Sequence, residues 1–460
     1  MGNYKLKKEG GLIPNAEPKD IVCRYERINT NVFETENDGT AYVADKIAAA
    51  IKAKESTGEA FVLGITSGSS PLGVYTKLVD KFRAGEVSFR NVVVFSLDEF
   101  YGITKDDHRS RNFRIHEEFL EYVNVRPENI YIPDSSVPVD KVSQYCHDYE
   151  AKIAEVGGLD LMLLGVGSKG QIGFNEAGSY SNSKTRMVAL SNASIQEEAS
   201  AFASIKDVPT KAITMGIGTI LSAKQIVLVA WGENKASVIG RVIEGAIDPM
   251  CPATYLQNHN NIEVVIDEEA AEELTREKAP WLVGTCDWSP KFIRKAVIWL
   301  AMKTQKPILK LTYKDYIDNS LGQLLEAEGT FDAINIKVFN DLQHTISGWP
   351  GGKPNADDST RPERATPYPK RVIIFSPHPD DDVISMGGTF IRLVEQGHDV
   401  HVAYQTSGNV AVHDDVVLQN VDTAKELGLG DTFSEVCNVI ATKKRGKPEP
   451  RKLLDVKGAI

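Results

Sequence analysis

Residues 60–85 read AFVLGITSGSSPLGVYTKLVDKFRAG, and this stretch decides the fold. Its first seven residues are apolar without alternation, which is typical of a strand covered on both faces of a sheet. From Pro71 onward the apolar residues recur with helical spacing. A turn rich in serine and glycine joins the two parts. The stretch therefore predicts one strand–turn–helix unit of a parallel sheet.

The same succession of strand and helix recurs along the first part of the chain. Further strands are predicted at NVVVFSL (91–97), LDLMLLGV (159–166), QIVLVAW (225–231) and IEVVID (262–267), and a further helix at ENKASVIGRVIEGA (233–246). The sequence thus predicts an α/β fold with a Rossmann-like open parallel sheet. In such sheets, ligands bind in the loops at the carboxyl ends of the strands.

Composition divides the chain into four parts. Residues 1–275 form the α/β domain, and residues 276–346 are a helix-rich extension that is either a small separate unit or packed on the first domain. Residues 347–370 are rich in proline, glycine and charge, which predicts a linker. RVIIFS (371–376) then predicts the first strand of a second, truncated α/β domain over residues 371–460.

Charge and cysteine content narrow the class of protein. The 460 residues include 52 Lys and Arg and 63 Asp and Glu, so the formal net charge is −11. This acidity argues against a protein that coats nucleic acid. The five cysteines are scattered without a C-x-x-C pair, which favours reduced thiols. Since no secretory leader or membrane span is apparent, we expect a cytoplasmic protein without a membrane partner.

The turn after the first predicted strand has the composition of an anion site. Gly68 lets backbone N–H groups approach a ligand, Ser67, Ser69 and Ser70 supply hydroxyls, and the following helix adds partial positive charge at its N-terminus. Ser70 is the expected N-cap of that helix, ahead of Pro71. The alternative interpretation is a capped turn without a ligand. The residues alone leave the two evenly matched.

Two further loops carry groups suited to catalysis. Asp98 and Glu99 follow the second strand, where a carboxylate facing the cleft can abstract a proton next to a carbonyl; the alternative is helix capping. After the third strand, four glycines lie within nine residues, 165–173, which indicates a tight loop with its backbone near a ligand. The glycine spacing does not complete the dinucleotide-binding pattern, so dinucleotide binding is a weak interpretation of this loop.

The motifs TSGSSP (66–71), SLDEF (96–100), GVGSKGQIGFNEAGS (165–179), SKTRMVAL (183–190) and WGENKA (231–236) together resemble the glucosamine-6-phosphate deaminase family, over about residues 30–275. The resemblance implies conversion of glucosamine 6-phosphate and water to fructose 6-phosphate and ammonia. It also implies a homo-oligomer that uses neither a metal nor an organic cofactor.

The resemblance assigns roles to residues at matching positions. Asp98 would be the base that moves a proton between C2 and C1 of the open-chain sugar, and Glu176 would support ring opening. The substrate phosphate would be bound by Lys235 and by the loop Ser67, Gly68, Ser69 and Ser70.

The chain departs from the family pattern at three places. Lys169 and Gln171 stand where the family usually has Asp and His, and an amide cannot carry the proton that an imidazole can. The phosphate-binding arginine that the family has near Ser200 is missing. Arg186 matches one allosteric residue but Val188 replaces the other, so we expect no activation by N-acetylglucosamine 6-phosphate. A binding protein of impaired activity and a galactosamine 6-phosphate deaminase are the alternatives.

The second domain begins with another motif, SPHPDDD (376–382). It resembles the zinc-dependent N-acetylglucosaminyl deacetylases of the LmbE-like type. By that resemblance His378 and Asp381 would bind zinc and Asp380 would be the base. The family completes its site with a histidine well over a hundred residues downstream, whereas 78 residues follow Asp382 here. We therefore expect an incomplete, truncated domain that binds zinc only if completed.

Overall fold

The computed structural model describes residues 10–343, 371–395, 397–406 and 414–426. The chain divides into two compact units, one of residues 1–299 with 317–327, the other of residues 300–316 with 328–460. The expected linker, 347–370, lies outside the described residues. The domain boundaries at residues 275 and 346 stay predictions.

Residues 10–343 contain the strands β1 (Gly11–Leu12), β2 (Asn29–Phe33), β3 (Phe61–Ile65), β4 (Val92–Ser96), β5 (Asp98–Phe100), β6 (Ile130–Tyr131), β7 (Leu161–Leu164), β8 (Arg186–Ala189), β9 (Lys211–Thr214), β10 (Ile226–Ala230), β11 (Ile262–Asp267) and β12 (Cys286–Asp287). The helices of the same range are α1 (Lys19–Val22), α2 (Glu36–Ser56), α3 (Ser69–Arg83), α4 (Arg111–Glu118), α5 (Val142–Glu155), α6 (Asn192–Glu198), α7 (Ile217–Ile220), α8 (Ala236–Ile243), α9 (Thr275–Lys278), α10 (Pro290–Thr304), α11 (Tyr313–Asp318), α12 (Gly322–Glu328) and α13 (Phe331–Gln343).

A seven-stranded parallel sheet organises the first unit. Its strand order is β2-β11-β10-β7-β3-β4-β6, and every pairing in it is parallel. The five predicted strands are β3, β4, β7, β10 and β11, so the predicted α/β class and open parallel sheet are confirmed. These strands lie at or near the centre of the sheet, where both faces are covered.

The two faces of the sheet bury two separate apolar clusters. In β7, Leu161 and Leu163 belong to the cluster under α2 and α3, whereas Met162 and Leu164 belong to the cluster under α5 and α8. Strands β3, β4 and β10 divide their residues in the same alternating way. Because successive side chains of a strand point to opposite faces, an unbroken apolar run is what a doubly covered strand requires.

The strand order changes direction at β3. This strand pairs with β4 on one side and with β7 on the other. From β3 the chain proceeds through β4 to the edge strand β6, then returns to β7 on the opposite side of β3. The loops leaving the carboxyl ends of β3 and β7 therefore diverge. Open α/β sheets bind their ligands in the crevice at such a point.

A small antiparallel sheet begins just beyond the carboxyl end of β4. Its strand order is β5-β9-β8, and Asp98 of β5 lies opposite Thr214 of β9. The chain passes from β4 into β5 with one intervening residue, Leu97, whose N–H donates to the carbonyl of Ile65 at the end of β3 (2.8 Å). This bond fixes the end of β3 beside the start of β5.

The second unit contains β13 (Arg371–Ser376), α14 (Asp381–Ile384), α15 (Gly387–Glu395), β14 (Asp399–Tyr404) and α16 (Asp414–Glu426). The two strands pair in parallel, from Arg371 opposite Asp399 to Ser376 opposite Tyr404. A strand, a helix and a parallel strand follow one another there, as RVIIFS and the next residues predict. Within the described ranges, no helix combines the length and apolar content that crossing a bilayer needs.

We expect Leu163→Ala to lower the free energy of unfolding by about 2–5 kcal/mol, because it opens a cavity in a core that cannot fully collapse. Leu163 is fully buried in the middle of the sheet. Val139, which is 61% exposed, provides the matched control as Val139→Ala. Urea denaturation followed by circular dichroism measures both. Equal midpoints for the two variants would contradict this account of the core.

Candidate functional site

Four loops meet at the carboxyl edge of the parallel sheet. They follow β3, β4, β7 and β10, which are neighbours in the sheet. A Cβ atom at Gly165, after β7, would lie 3.7 Å from Cβ of Ser70, after β3. Lys235, after β10, donates from Nζ to the carbonyl of Val166 (2.9 Å). Residues distant in sequence are thereby brought to one crevice.

The loop after β3 has the geometry of an anion-binding turn. Gly68 has φ = 146° and ψ = 169°, a backbone conformation that L side chains rarely adopt, and α3 begins directly after it. Gly68, not Ser70, is thus the N-cap, and the expectation for Ser70 was wrong by two positions. Helix formation leaves the first N–H groups of α3 without intrahelical partners, and such groups can donate to an anion.

The serines of this turn differ in environment. Ser67 is half-buried, and within the described part of the chain its Oγ has no hydrogen-bond partner. Ser70 is buried, and its carbonyl accepts a hydrogen bond from Nε1 of Trp231 (2.8 Å). Tyr75 donates to the carbonyl of Thr66 (2.6 Å), which fastens α3 to the loop. A buried hydroxyl without a partner is a group that a ligand can satisfy.

Asp98 is a buried carboxyl group at this edge. Its side chain is 3% exposed, and Oδ1 has no hydrogen-bond partner among the described residues. Burial raises the pKa of Asp98 to about 7; the positive charge of Arg111 opposes this shift, and Glu99 adds to it. A Cβ at Gly173 would lie 3.0 Å from Oδ2, so the glycine keeps space next to the carboxylate. A base with this pKa can take up and return a proton near neutral pH.

Glu99, the neighbour of Asp98, has a structural role. Its carboxylate accepts hydrogen bonds from the N–H groups of Phe100 (2.8 Å), Arg111 (3.0 Å) and Asn112 (2.8 Å). Two of these donors are the first residues of α4, so Glu99 caps that helix. For Glu99, the contacts match helix capping, the alternative that the sequence left open for this pair.

Glu197 of α6, which sequence reasoning missed, holds the loop after β7. Gln171 donates from Nε2 to Glu197 of α6 (2.7 Å) and accepts at Oε1 from the N–H of Lys169 (3.0 Å). The hydroxyl of Ser168 also donates to Glu197. Burial lowers the pKa of Lys235 and the charge of Glu197 opposes that shift, so Glu197 also acts on the expected phosphate-binding lysine.

Glu176 lies at the far end of the same loop. Both of its carboxylate oxygens accept from the N–H of Ser191, at 3.1 and 2.9 Å. Ser191 is the N-cap of α6, so Glu176 anchors the start of that helix. Glu176 and Gln171 therefore contact different partners, although both sides of the loop are tied to α6.

Arg111 is the second residue that sequence reasoning missed. Its guanidinium pairs with Glu198 of α6 and lies over the rings of Phe100 (4.8 Å) and Phe174 (5.5 Å). No local pattern in the sequence distinguishes Arg111 from a surface arginine.

Arg186, the one matching allosteric position, donates to Oδ1 of Asn175 (2.9 Å), and burial lowers the pKa of Arg186.

In the second unit, His378 and Asp381 lie together. Nδ1 of His378 is 2.9 Å from Oδ2 of Asp381, which also accepts from the N–H of His378 (3.0 Å). Asp380 is the N-cap of α14 without a capping side-chain bond. Over the described ranges, no group of three or more His, Cys, Asp or Glu could hold a metal. Catalytic zinc needs three protein ligands, so these residues alone do not fit the ion.

Comparison with known families matches residues 34–266 to the glucosamine-6-phosphate isomerases/6-phosphogluconolactonase family and residues 373–432 to GlcNAc-PI de-N-acetylase. A putative glucosamine-6-phosphate deaminase-like protein of Bacteroides thetaiotaomicron is 48% identical over 456 residues, which are 97% of this chain and 69% of that protein. Glucosamine-6-phosphate deaminases of Thermoanaerobacter sp. and Corynebacterium glutamicum are 40% and 42% identical, over 50% of this chain and 88% and 89% of theirs.

A solved structure agrees with these matches. A monomeric glucosamine-6-phosphate deaminase superposes with a TM-score of 0.51 at 35% identity, covering 54% of this chain and 100% of that one. Both resemblances read from the motifs are therefore confirmed, the first in the parallel-sheet domain and the second after residue 371. The chain belongs to the glucosamine-6-phosphate isomerase/6-phosphogluconolactonase family, as a relative of the glucosamine-6-phosphate deaminases.

Proposed function

We propose that the first unit is an amino-sugar-phosphate deaminase that converts glucosamine 6-phosphate and water to fructose 6-phosphate and ammonia. One observation carries the proposal. The carboxyl group of Asp98, buried and with Oδ1 unpartnered among the described residues, lies at the same sheet edge as the N-terminus of α3. The pKa of about 7 suits a group that takes and returns a proton.

The phosphate of the substrate would be anchored at the turn after β3. The backbone N–H groups of Ser69 and Ser70 and the hydroxyl of Ser67 supply donors, and the dipole of α3 favours negative charge there. Lys235 would leave its carbonyl partner, Val166, for the phosphate, since a charge-assisted bond is stronger than a neutral one. Anchoring the phosphate fixes the position of the reacting carbons.

The chemical steps follow from the open-chain sugar. Ring opening exposes the C1 aldehyde, which acidifies the proton on C2. Asp98 takes that proton, the C2–H electron pair forms the C1–C2 double bond of the enediol-type intermediate (an enolamine), and the C1 carbonyl oxygen takes a proton from the C2 ammonium group. The same carboxyl group then returns its proton to C1, and the nitrogen lone pair forms a C2 iminium ion. Water adds to C2 and passes a proton to the nitrogen, and the C2–N bond breaks to release ammonia, which takes the remaining proton and leaves the C2 ketone. A base whose pKa lies near neutral pH is well suited to both transfers.

Ring opening is the step that the family departures affect. The amide of Gln171 can orient a hydroxyl but cannot transfer a proton, and both of its polar ends are occupied, by Glu197 and by the Lys169 N–H. This observation favours a second candidate, a sugar-phosphate-binding homologue with impaired turnover. Galactosamine 6-phosphate as substrate is the variant of the first proposal, because altered ring-opening residues can accompany an altered sugar preference. Glu176 keeps its proposed supporting role.

Independence from metals and organic cofactors, a homo-oligomeric state and a cytoplasmic location stay predictions from the sequence. For the second unit we propose no reaction. His378 and Asp381 would be the residues to hold a zinc ion, yet the described residues do not add the third protein ligand that such a site needs.

Asp98→Asn should reduce ammonia release from glucosamine 6-phosphate by about 10²–10⁴-fold, because general base catalysis contributes that much. The exposed Asp80, on the helix that follows the phosphate turn, gives the matched control Asp80→Asn. An ammonia-release assay on wild type and both variants measures the effect. Turnover by Asp98→Asn at the wild-type level would contradict the assignment. Calorimetric binding of sugar phosphates with no turnover by wild type would favour the second candidate.

The kcat/KM of the wild type should fall as the pH decreases through about 7, where Asp98 takes up its proton and stops acting as a base.

The raised pKa of Asp98 also has a consequence for stability. Since Asp98 binds a proton more tightly when folded, its protonated form stabilises the fold, and this contribution is lost as the pH rises from about 4 toward 7. Melting temperatures across that range should therefore fall relative to those of Asp98→Asn. A constant difference would contradict the buried carboxyl.

Gln171→His should raise turnover by about tenfold or more, because an imidazole can transfer the proton that assists ring opening. The measurement is ammonia release from both glucosamine 6-phosphate and galactosamine 6-phosphate. Gln196→His places the same imidazole on α6 at an exposed position and serves as the control. An unchanged rate for Gln171→His on both epimers would show that ring opening does not limit the reaction.

A further inference from the structure

Arg111 and Glu198 form an ion pair, and both charges act on the proposed base. The side chain of Arg111 is 9% exposed and that of Glu198 is 24% exposed, and the two form an ion pair between α4 and α6. Burying a guanidinium costs free energy that a single surface contact does not offset. The ion pair and the rings of Phe100 and Phe174 therefore stabilise a buried cation where a neutral side chain would have a smaller desolvation penalty.

The hydrogen-bonding capacity of the pair is not fully used. Nε of Arg111 is buried and, among the described residues, has no hydrogen-bond partner, and the same is true of Oδ1 of Asp98. Arg111 directs Nη2 to Glu198 and lies over the ring of Phe100, two residues from Asp98 on β5, so its charge acts on the Asp98 carboxyl. A buried cation with spare donor capacity beside a buried acid indicates an electrostatic function.

The groups that face Asp98 come from several elements. Arg111 of α4 contributes positive charge, and Glu99 of β5 and Glu198 of α6 contribute negative charge. The phenols of Tyr75 on α3 and Tyr149 on α5 also sense Asp98, but both are neutral donors, to the carbonyls of Thr66 and Ser96. Glu99 is fully occupied by backbone N–H groups, so Arg111 and Glu198 remain as the adjustable charges.

We propose that Arg111 and Glu198 are positioning residues whose ion pair decides whether the Asp98 carboxyl is protonated when the substrate arrives. Arg111 alone would hold Asp98 ionised and weaken it as a proton acceptor. Glu198 neutralises much of that charge and keeps Asp98 in the range where it can both accept and return a proton. The inference rests on the proposed function and adds two residues that act through Asp98, not on the substrate.

Opposite effects distinguish this role from a structural one. Glu198→Gln keeps an acceptor for Arg111 but removes the negative charge, so Arg111 acts on Asp98 unopposed and the titration midpoint of Asp98 falls. Arg111→Gln removes the positive charge, so the midpoint rises. In the double variant the two changes largely cancel. A side chain that only supports packing would shift the midpoint in one direction or leave it unchanged.

The experiment is a pH titration of Asp98 in the full chain. NMR of protein labelled with ¹³C at the aspartate carboxyl groups monitors its protonation. The spectrum of Asp98→Asn assigns the signal. Relative to the wild-type midpoint, we expect Glu198→Gln to titrate about one pH unit lower and Arg111→Gln about one pH unit higher, the size of effect that a nearby charge produces. The acidic limb of kcat/KM should shift in the same directions.

Matched variants keep the test decisive. Glu197→Gln removes the same charge from the adjacent position of α6, and it should leave the Asp98 midpoint unchanged whatever it does to turnover. Arg111→Lys keeps the charge and should titrate near the wild type; if Arg111→Gln does not fold, Glu198→Gln and Arg111→Lys carry the test. An unchanged or raised midpoint in Glu198→Gln, or an equal decrease in Glu197→Gln, overturns the inference. Midpoints that shift as expected without any turnover overturn the proposed function instead.

Discussion

The parallel sheet of the first unit must be covered on both faces, and this constraint decides where polar groups can stand. Alternate residues of β3, β4, β7 and β10 enter two apolar clusters, so the strands themselves have no room for catalytic side chains. The polar groups of the proposed site therefore lie beyond the ends of these four strands. At β3 the strand order reverses, and the loops on either side separate. The crevice is thus a consequence of topology before any residue of the site is considered.

The proposed base occupies this edge at a cost in stability. Asp98 is 3% exposed and its Oδ1 lacks a partner within the described ranges, and burying an unpaired carboxyl group lowers the stability of the fold. Nearby Glu99, buried to a similar degree, is satisfied by three N–H groups. The contrast between adjacent residues separates a group kept for chemistry from a group kept for folding.

Sequence patterns could predict the elements whose burial is regular and could not predict those that depend on distant contacts. The central strands, such as β10 at residues 226–230, are unbroken apolar runs. In contrast, the edge strand β2 (NTNVF) is rich in polar residues, and β8 (RMVA) has four residues. Each of them pairs with a neighbour along one edge, so its pattern is weaker. Asp98 and the turn after β3 followed from local motifs. Arg111 and Glu198 did not, since 87 residues separate them.

Helix α6 connects these observations. It has seven residues, too few to be stable without tertiary contacts, and three glutamates fix it in place. Glu176 accepts the N–H of its N-cap residue, Glu197 holds Gln171 of the loop after β7, and Glu198 holds Arg111 behind the base. Because consecutive residues of a helix point in directions about 100° apart, one short helix can reach both sides of the crevice. The substitution of histidine by Gln171 and the burial of Arg111 are therefore coupled through a single element. A change in the docking of α6 alters the ring-opening loop and the charge around Asp98 together.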